Sequence, residues 1–119
     1  MSGGSDEYVM GNYNDTIKYA GFSSMPEAKY YDKYTGTDSS SDFTKHHLGD
    51  ATKETVKAKS TGGNSWYGDY SNSVDSFWPW VTRGGNSGNN SLGAGVFGFN
   101  QRSGDSDSRN SFRVVFAAL

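Results

Sequence analysis

Trp78-Pro79-Trp80-Val81-Thr82-Arg83-Gly84-Gly85, Ala94-Gly95-Val96-Phe97-Gly98-Phe99 and Ser111-Phe112-Arg113-Val114-Val115-Phe116 are three short apolar segments near the end of the chain. Their length and aromatic or β-branched content predict strands. In the last one, Phe112, Val114 and Phe116 alternate onto one face, opposite Arg113 and Val115. The intervening stretches, Asn86-Ser87-Gly88-Asn89-Asn90-Ser91 and Asn100 to Asn110, are nearly all Asn, Ser, Gly and Asp and read as loops. A stiff apolar frame holding small polar loops suits recognition better than catalysis.

Composition supports one domain, residues 1–119, with an economical core. Only 33% of the residues are apolar, but 15% are Phe, Trp or Tyr, which argues against disorder. The formal net charge is -2 and no basic stripe stands out, so nucleic acid is not an expected partner. No apolar run is long enough to insert into a membrane. With no cysteine, disulfides, thiolate metal sites and cysteine nucleophiles are all absent.

Upstream, Met1 to Ser5 has linker composition, and Asp6-Glu7-Tyr8-Val9-Met10 reads as a short strand closed by a turn at Gly11-Asn12-Tyr13-Asn14. Ser24-Met25-Pro26-Glu27 has capping-box spacing. The tyrosine-rich Ala28 to Tyr34 that follows fits either a short helix or an edge strand. Asp50 to Lys59, acidic early and basic late, is the best helix candidate. Tyr67, Tyr70, Phe77, Trp78 and Trp80 form an aromatic cluster, and Trp66, Tyr67, Trp78 and Trp80 read as core or as a sugar-stacking platform.

Arg83-Gly84-Gly85-Asn86, followed by Phe112-Arg113-Val114-Val115, resembles the C-type-lectin-like fold of the formylglycine-generating (sulfatase-modifying) enzyme family. That family carries an Arg-Gly-Gly-Ser-Trp-like turn and a closing Gly-Phe-Arg-Val motif; here Asn86-Ser87 and Ser111 depart from it. Glu7 to Asn14 and Leu48 to Thr55 are similar to a branch from gut Firmicutes and their phages. The resemblance implies an α+β fold: a twisted antiparallel sheet, one or two short helices and long polar loops. It also implies that Met1 to Tyr8 corresponds to an interior turn of longer members, so that the chain is expected to be either a shortened member lacking the family's N-terminal half or a compact version of the fold. Within this fold, variable proteins of diversity-generating retroelements and phage receptor-binding proteins place ligand contacts on the final loops.

The resemblance also suggests a copper-dependent oxidase acting through paired cysteines, which a chain without cysteine cannot be. No enzymatic activity and no cofactor are expected. Calcium at Asp105-Ser106-Asp107 is a minor alternative, since the loop lacks the closing Glu and central Gly of an EF-hand. His46-His47 reads as solvated rather than metal-ligating, because adjacent side chains diverge. The N-glycosylation patterns at Asn14 and Asn89-Asn90-Ser91 read as chance.

The expected function is therefore ligand recognition on a phage tail or bacterial surface, through loops 86–93 and 100–110. The expected contacts are Asn86, Ser87, Asn89, Asn90, Phe97, Phe99, Asn100, Gln101, Arg102, Asp105, Asp107, Arg109 and Asn110. Arg83, Gly84, Gly85, Phe112 and Arg113 are expected to be frame, with the arginines satisfying loop carbonyls or a carboxylate. The partner class is a protein or glycan, and the location is extracellular. The alternative is a structural subunit of a virion or appendage, packing as a homo-oligomer.

Overall fold

A computed structural model describes residues 4–35, 69, 70, 72, 74–85 and 98–113. The helix expected at Asp50 to Lys59, the loop 86–93, the Ala94 to Phe97 part of the second segment and Val114 to Phe116 lie outside the described residues, as do Trp66 and Tyr67. Five strands form one mixed sheet: β1 (Asp6–Tyr13), β2 (Asp32–Tyr34), β3 (Trp80–Arg83), β4 (Phe99–Arg102) and β5 (Asn110–Ser111). A 3-10 turn, Ala28–Tyr30, is the helical element among the described residues, so the fold is compatible with an α+β or a mostly-β class.

The order is β2-β1-β3-β4, and β5 also pairs with β1. β1 is the hub. It runs antiparallel to β3, and parallel to β5 at Asp6–Glu7 and to β2 at Gly11–Tyr13. The sheet is therefore mixed rather than purely antiparallel. Between Tyr8↔Thr82 and Asn12↔Trp80, four residue steps on β1 oppose two on β3. This bulge leaves Met10 exposed while keeping alternation intact on either side.

Alternation sorts the side chains onto two unlike faces. On one, Val81 joins Val74 and Tyr34 in the apolar core, with Val9 and Tyr13 packed against them. On the other stand Asp6, Tyr8, Asn12, Trp80, Thr82, Asn100, Arg102 and Asn110, a set that is polar apart from Trp80 and the ring of Tyr8. Asn12, Thr82 and Asp6 are among the largest fully buried side chains. Such a face can be covered only if its polar groups find partners. Asn12 does so by bracketing Thr16: Nδ2 donates to Thr16 O at 2.9 Å, and Thr16 N–H donates to Asn12 Oδ1 at 3.0 Å. Trp80 is anchored by its indole N–H on Ile17 O at 3.0 Å and meets the ring of Phe22 at 5.7 Å.

The cover is closed by Gly104, whose φ of 95° and lack of a side chain let the backbone lie against Trp80 and Ala20. Gly84 and Gly85, both buried with φ of 92° and 68°, end β3; Gly84 N–H donates to Gly98 O at 3.0 Å. The turn closing β1 falls at Asn14-Asp15, one residue beyond the strand and later than the sequence suggests, with both residues at positive φ. Ala28 to Tyr34, open between helix and strand in sequence, is partly each: the 3-10 turn gives way to β2. Glu27 occupies the position before that turn without capping it by its side chain.

Candidate functional site

The segment Ser103 to Phe112 leaves β4, crosses the polar face and returns along β1 as β5. Asp6 N–H donates to Arg109 O at 2.8 Å, and Ser111 Oγ donates to Asp6 O at 3.0 Å, which pins the returning end. Within the segment, Asp107 makes an Asx turn: Arg109 N–H donates to Asp107 Oδ1 at 2.8 Å. The Arg109 side chain closes a fork on the same carboxylate, with both contacts at 2.9 Å. These bonds hold the Asp107 carboxyl well below the usual aspartate range and raise Arg109. Ser103 Oγ donates to Asp105 Oδ1 at 2.5 Å.

Between this segment and β1 lies a hollow of about 270 Å³, lined by Tyr8, Gly104, Asp105, Ser106, Asp107, Asn110, Ser111 and Phe112. Tyr8 forms its floor. The phenol donates to Asp105 O at 3.0 Å and accepts from Asn110 Nδ2 at 3.4 Å. Burial pushes the Tyr8 phenol up, and the nearby Asp105 charge adds to it. Phe112 stands at the rim, 76% exposed.

The expected contact residues divide sharply. Asn86, Ser87, Asn89, Asn90 and Phe97 lie outside the described residues. Asp105, Asp107 and Asn110 line the hollow, and Arg109 braces it. Phe99, Asn100, Gln101 and Arg102, in contrast, form a strand, although the last three read as loop in sequence. Antiparallel pairing with β3 imposes that strand despite polar composition. Alternation then buries Phe99 and Gln101 on the Val81 face, away from ligand. Arg102 pairs instead with the buried Asp6, Nη2 to Oδ2 at 2.8 Å.

Among the frame residues, Arg83 is half-buried in β3 and Arg113 closes a fork on Glu7, reaching Oε2 at 2.9 Å. That fork holds the Glu7 carboxyl below its ordinary value, against a smaller opposing effect of burial. Phe112, expected as part of the frame, is exposed. β5 ends at Ser111, so past the last ladder pair alternation no longer sets the direction of its ring. Tyr8, Ser106 and Ser111 were not expected at the site. Only the alternation of Tyr8 with Asp6 in β1 could have flagged the first of them.

Both oxygens of Asp107 are engaged by Arg109, and no group of three or more acidic or histidine side chains gathers among the described residues. Among the described residues no helix is long and apolar enough to cross a membrane. No protein-family model, curated protein or solved structure matches this chain.

Proposed function

We propose that the chain is a recognition domain, C-type-lectin-like in fold, displayed on a bacterial surface or phage tail and binding a protein or glycan. It would do so without catalysis or a cofactor, through the segment 103–112. One observation carries the reading: a preformed hollow with an exposed aromatic at its rim, held by strands β1, β4 and β5. Recognition surfaces combine such an aromatic anchor with adaptable short polar side chains. The Ser106→Ala/Phe112→Ala double variant, compared with wild type in glycan-array and whole-cell binding, tests it. Retained folding with lost binding is the expected result. Unfolding of the variant, undiminished binding, or no binding by the wild type would each overturn it.

A second reading, self-assembly, is favoured by the aromatic surface around Tyr19, Phe22, Phe77 and Trp78, exposed by 72, 44, 66 and 40%. Lys18 Nζ sits 4.8 Å from the Phe77 ring centre, and Phe77 meets Trp78 edge-on. Solution mass distinguishes the two: a stable oligomer dispersed by Phe77→Ser and Trp78→Ser supports assembly, and a monomer excludes it.

A further inference from the structure

We infer that the hollow beside Tyr8 receives a single arginine side chain presented by a protein partner. The inference rests on the recognition reading and names its ligand class. Size argues first: about 270 Å³ falls below the usual range for small-molecule pockets, roughly 300–1,000 Å³, and suits one inserted side chain better than an oligosaccharide.

Charge argues next. No arginine lines the hollow, and the three arginines between Arg102 and Arg113 are each matched: Arg102 with Asp6, Arg109 with Asp107, Arg113 with Glu7. The remaining acid, Asp105, has the Ser103 hydroxyl as its partner and no cation among the described residues. Burial first and the Asp105 charge second push the Tyr8 phenol up, against an opposing effect of Arg102. An exposed carboxylate without a cation, at the edge of a largely apolar hollow, suits a cation that also carries apolar or planar surface.

Phe112 selects among cations. Its ring is exposed and lines the same hollow as Asp105, and a guanidinium pairs a plane for stacking on a ring with an N–H fork for a carboxylate. An ammonium offers neither the plane nor the fork. Buried Arg and aromatic anchors are the usual hot spots of protein interfaces.

The test is an amide NMR titration of the intact chain with Nα-acetyl-arginine methylamide. Its neutral isostere Nα-acetyl-citrulline methylamide and methyl α-glucoside serve as comparisons. The arginine probe should give saturable shifts at Tyr8, Asp105, Asn110 and Phe112. The citrulline probe should bind about tenfold more weakly, as should the arginine probe to Asp105→Asn or Phe112→Ala. Asp105→Asn keeps an acceptor for Ser103, so its fold should hold. Equal binding of the citrulline probe, or no saturable shift with arginine, overturns the inference. Shifts with the glucoside alone would overturn it while leaving the recognition reading standing. Failure of every probe together with failure of the array and cell assays would remove both.

Discussion

Replacing Arg102 by Met is expected to destabilise the domain rather than only weaken ligand binding. Arg102 Nη2 lies 2.8 Å from Asp6 Oδ2, with side-chain exposures of 23% and 2%. Methionine keeps most of the stem's packing but removes the charge, leaving a carboxylate almost wholly shielded from water. Stranding one partner of a buried pair costs about 3–5 kcal/mol; the partial exposure of Arg102 and the further contacts of Asp6 reduce the expected loss to about 2–4 kcal/mol. That is a large share of a typical domain's stability, roughly 5–15 kcal/mol. Asp6→Asn should cost less, about 1–2 kcal/mol, because the partly exposed guanidinium can turn toward solvent. In urea unfolding followed by tryptophan fluorescence, a slope of about 2 kcal/mol per molar places the Arg102→Met midpoint about 1–2 M below wild type. The double variant should recover about 1–3 kcal/mol relative to additivity. A loss below about 0.5 kcal/mol, or strict additivity of the two single changes, would refute the reasoning and return Arg102 to the candidate ligand contacts.

Gly104→Ala should cost about 2–4 kcal/mol, combining positive-φ strain with overpacking, because its Cβ would stand 2.8 Å from Trp80 Cδ1 and 2.9 Å from Ala20. Calorimetry would read this as a fall of roughly 10–20 °C in Tm, and an unchanged Tm would contradict the close approach. Asn12→Ala removes a fully buried side chain and the donor to Thr16 O, while Thr16 N–H keeps Tyr13 O at 3.1 Å, and should lose about 1–2 kcal/mol in chemical denaturation. Glu7, lowered in the folded state chiefly by its hydrogen bond to Arg113, contributes stability that is fully present above its ordinary value of 4.5 and lost as pH falls through its folded value. Urea midpoints measured downward from about pH 6 should show a shallower acid limb for Glu7→Gln than for wild type. Matching limbs would remove Glu7 as a source of acid sensitivity.

Strand β1, the Arg83-Gly84-Gly85 stop and the polar Ser103 to Asn110 segment were legible from residue type, because a short β-rich run, paired glycines and an Asx turn are local signals. Asn100-Gln101-Arg102 was not. Its polar composition says loop, and only pairing with β3 makes it a strand, hiding Phe99 and Gln101 and turning Arg102 toward Asp6, ninety-six positions away in sequence. Phe112, expected in the frame and in a strand, lies past the two-residue β5 and is exposed.

The sequence by itself determined that this chain would form short strands near its aromatic residues, that it would have no cysteine chemistry, and that a polar segment would follow Arg102. Those properties follow from side-chain volume, backbone preference and the functional groups present, none of which needs a partner to be known. The tertiary structure decided which polar groups face one another. It made Asp6 and Arg102 an internal pair, gave Arg109 to Asp107 and Arg113 to Glu7, and left Asp105 beside an exposed Phe112. Charge pairing depends on through-space distance, and a sheet that places β5 and β1 side by side joins residues from opposite ends of the chain.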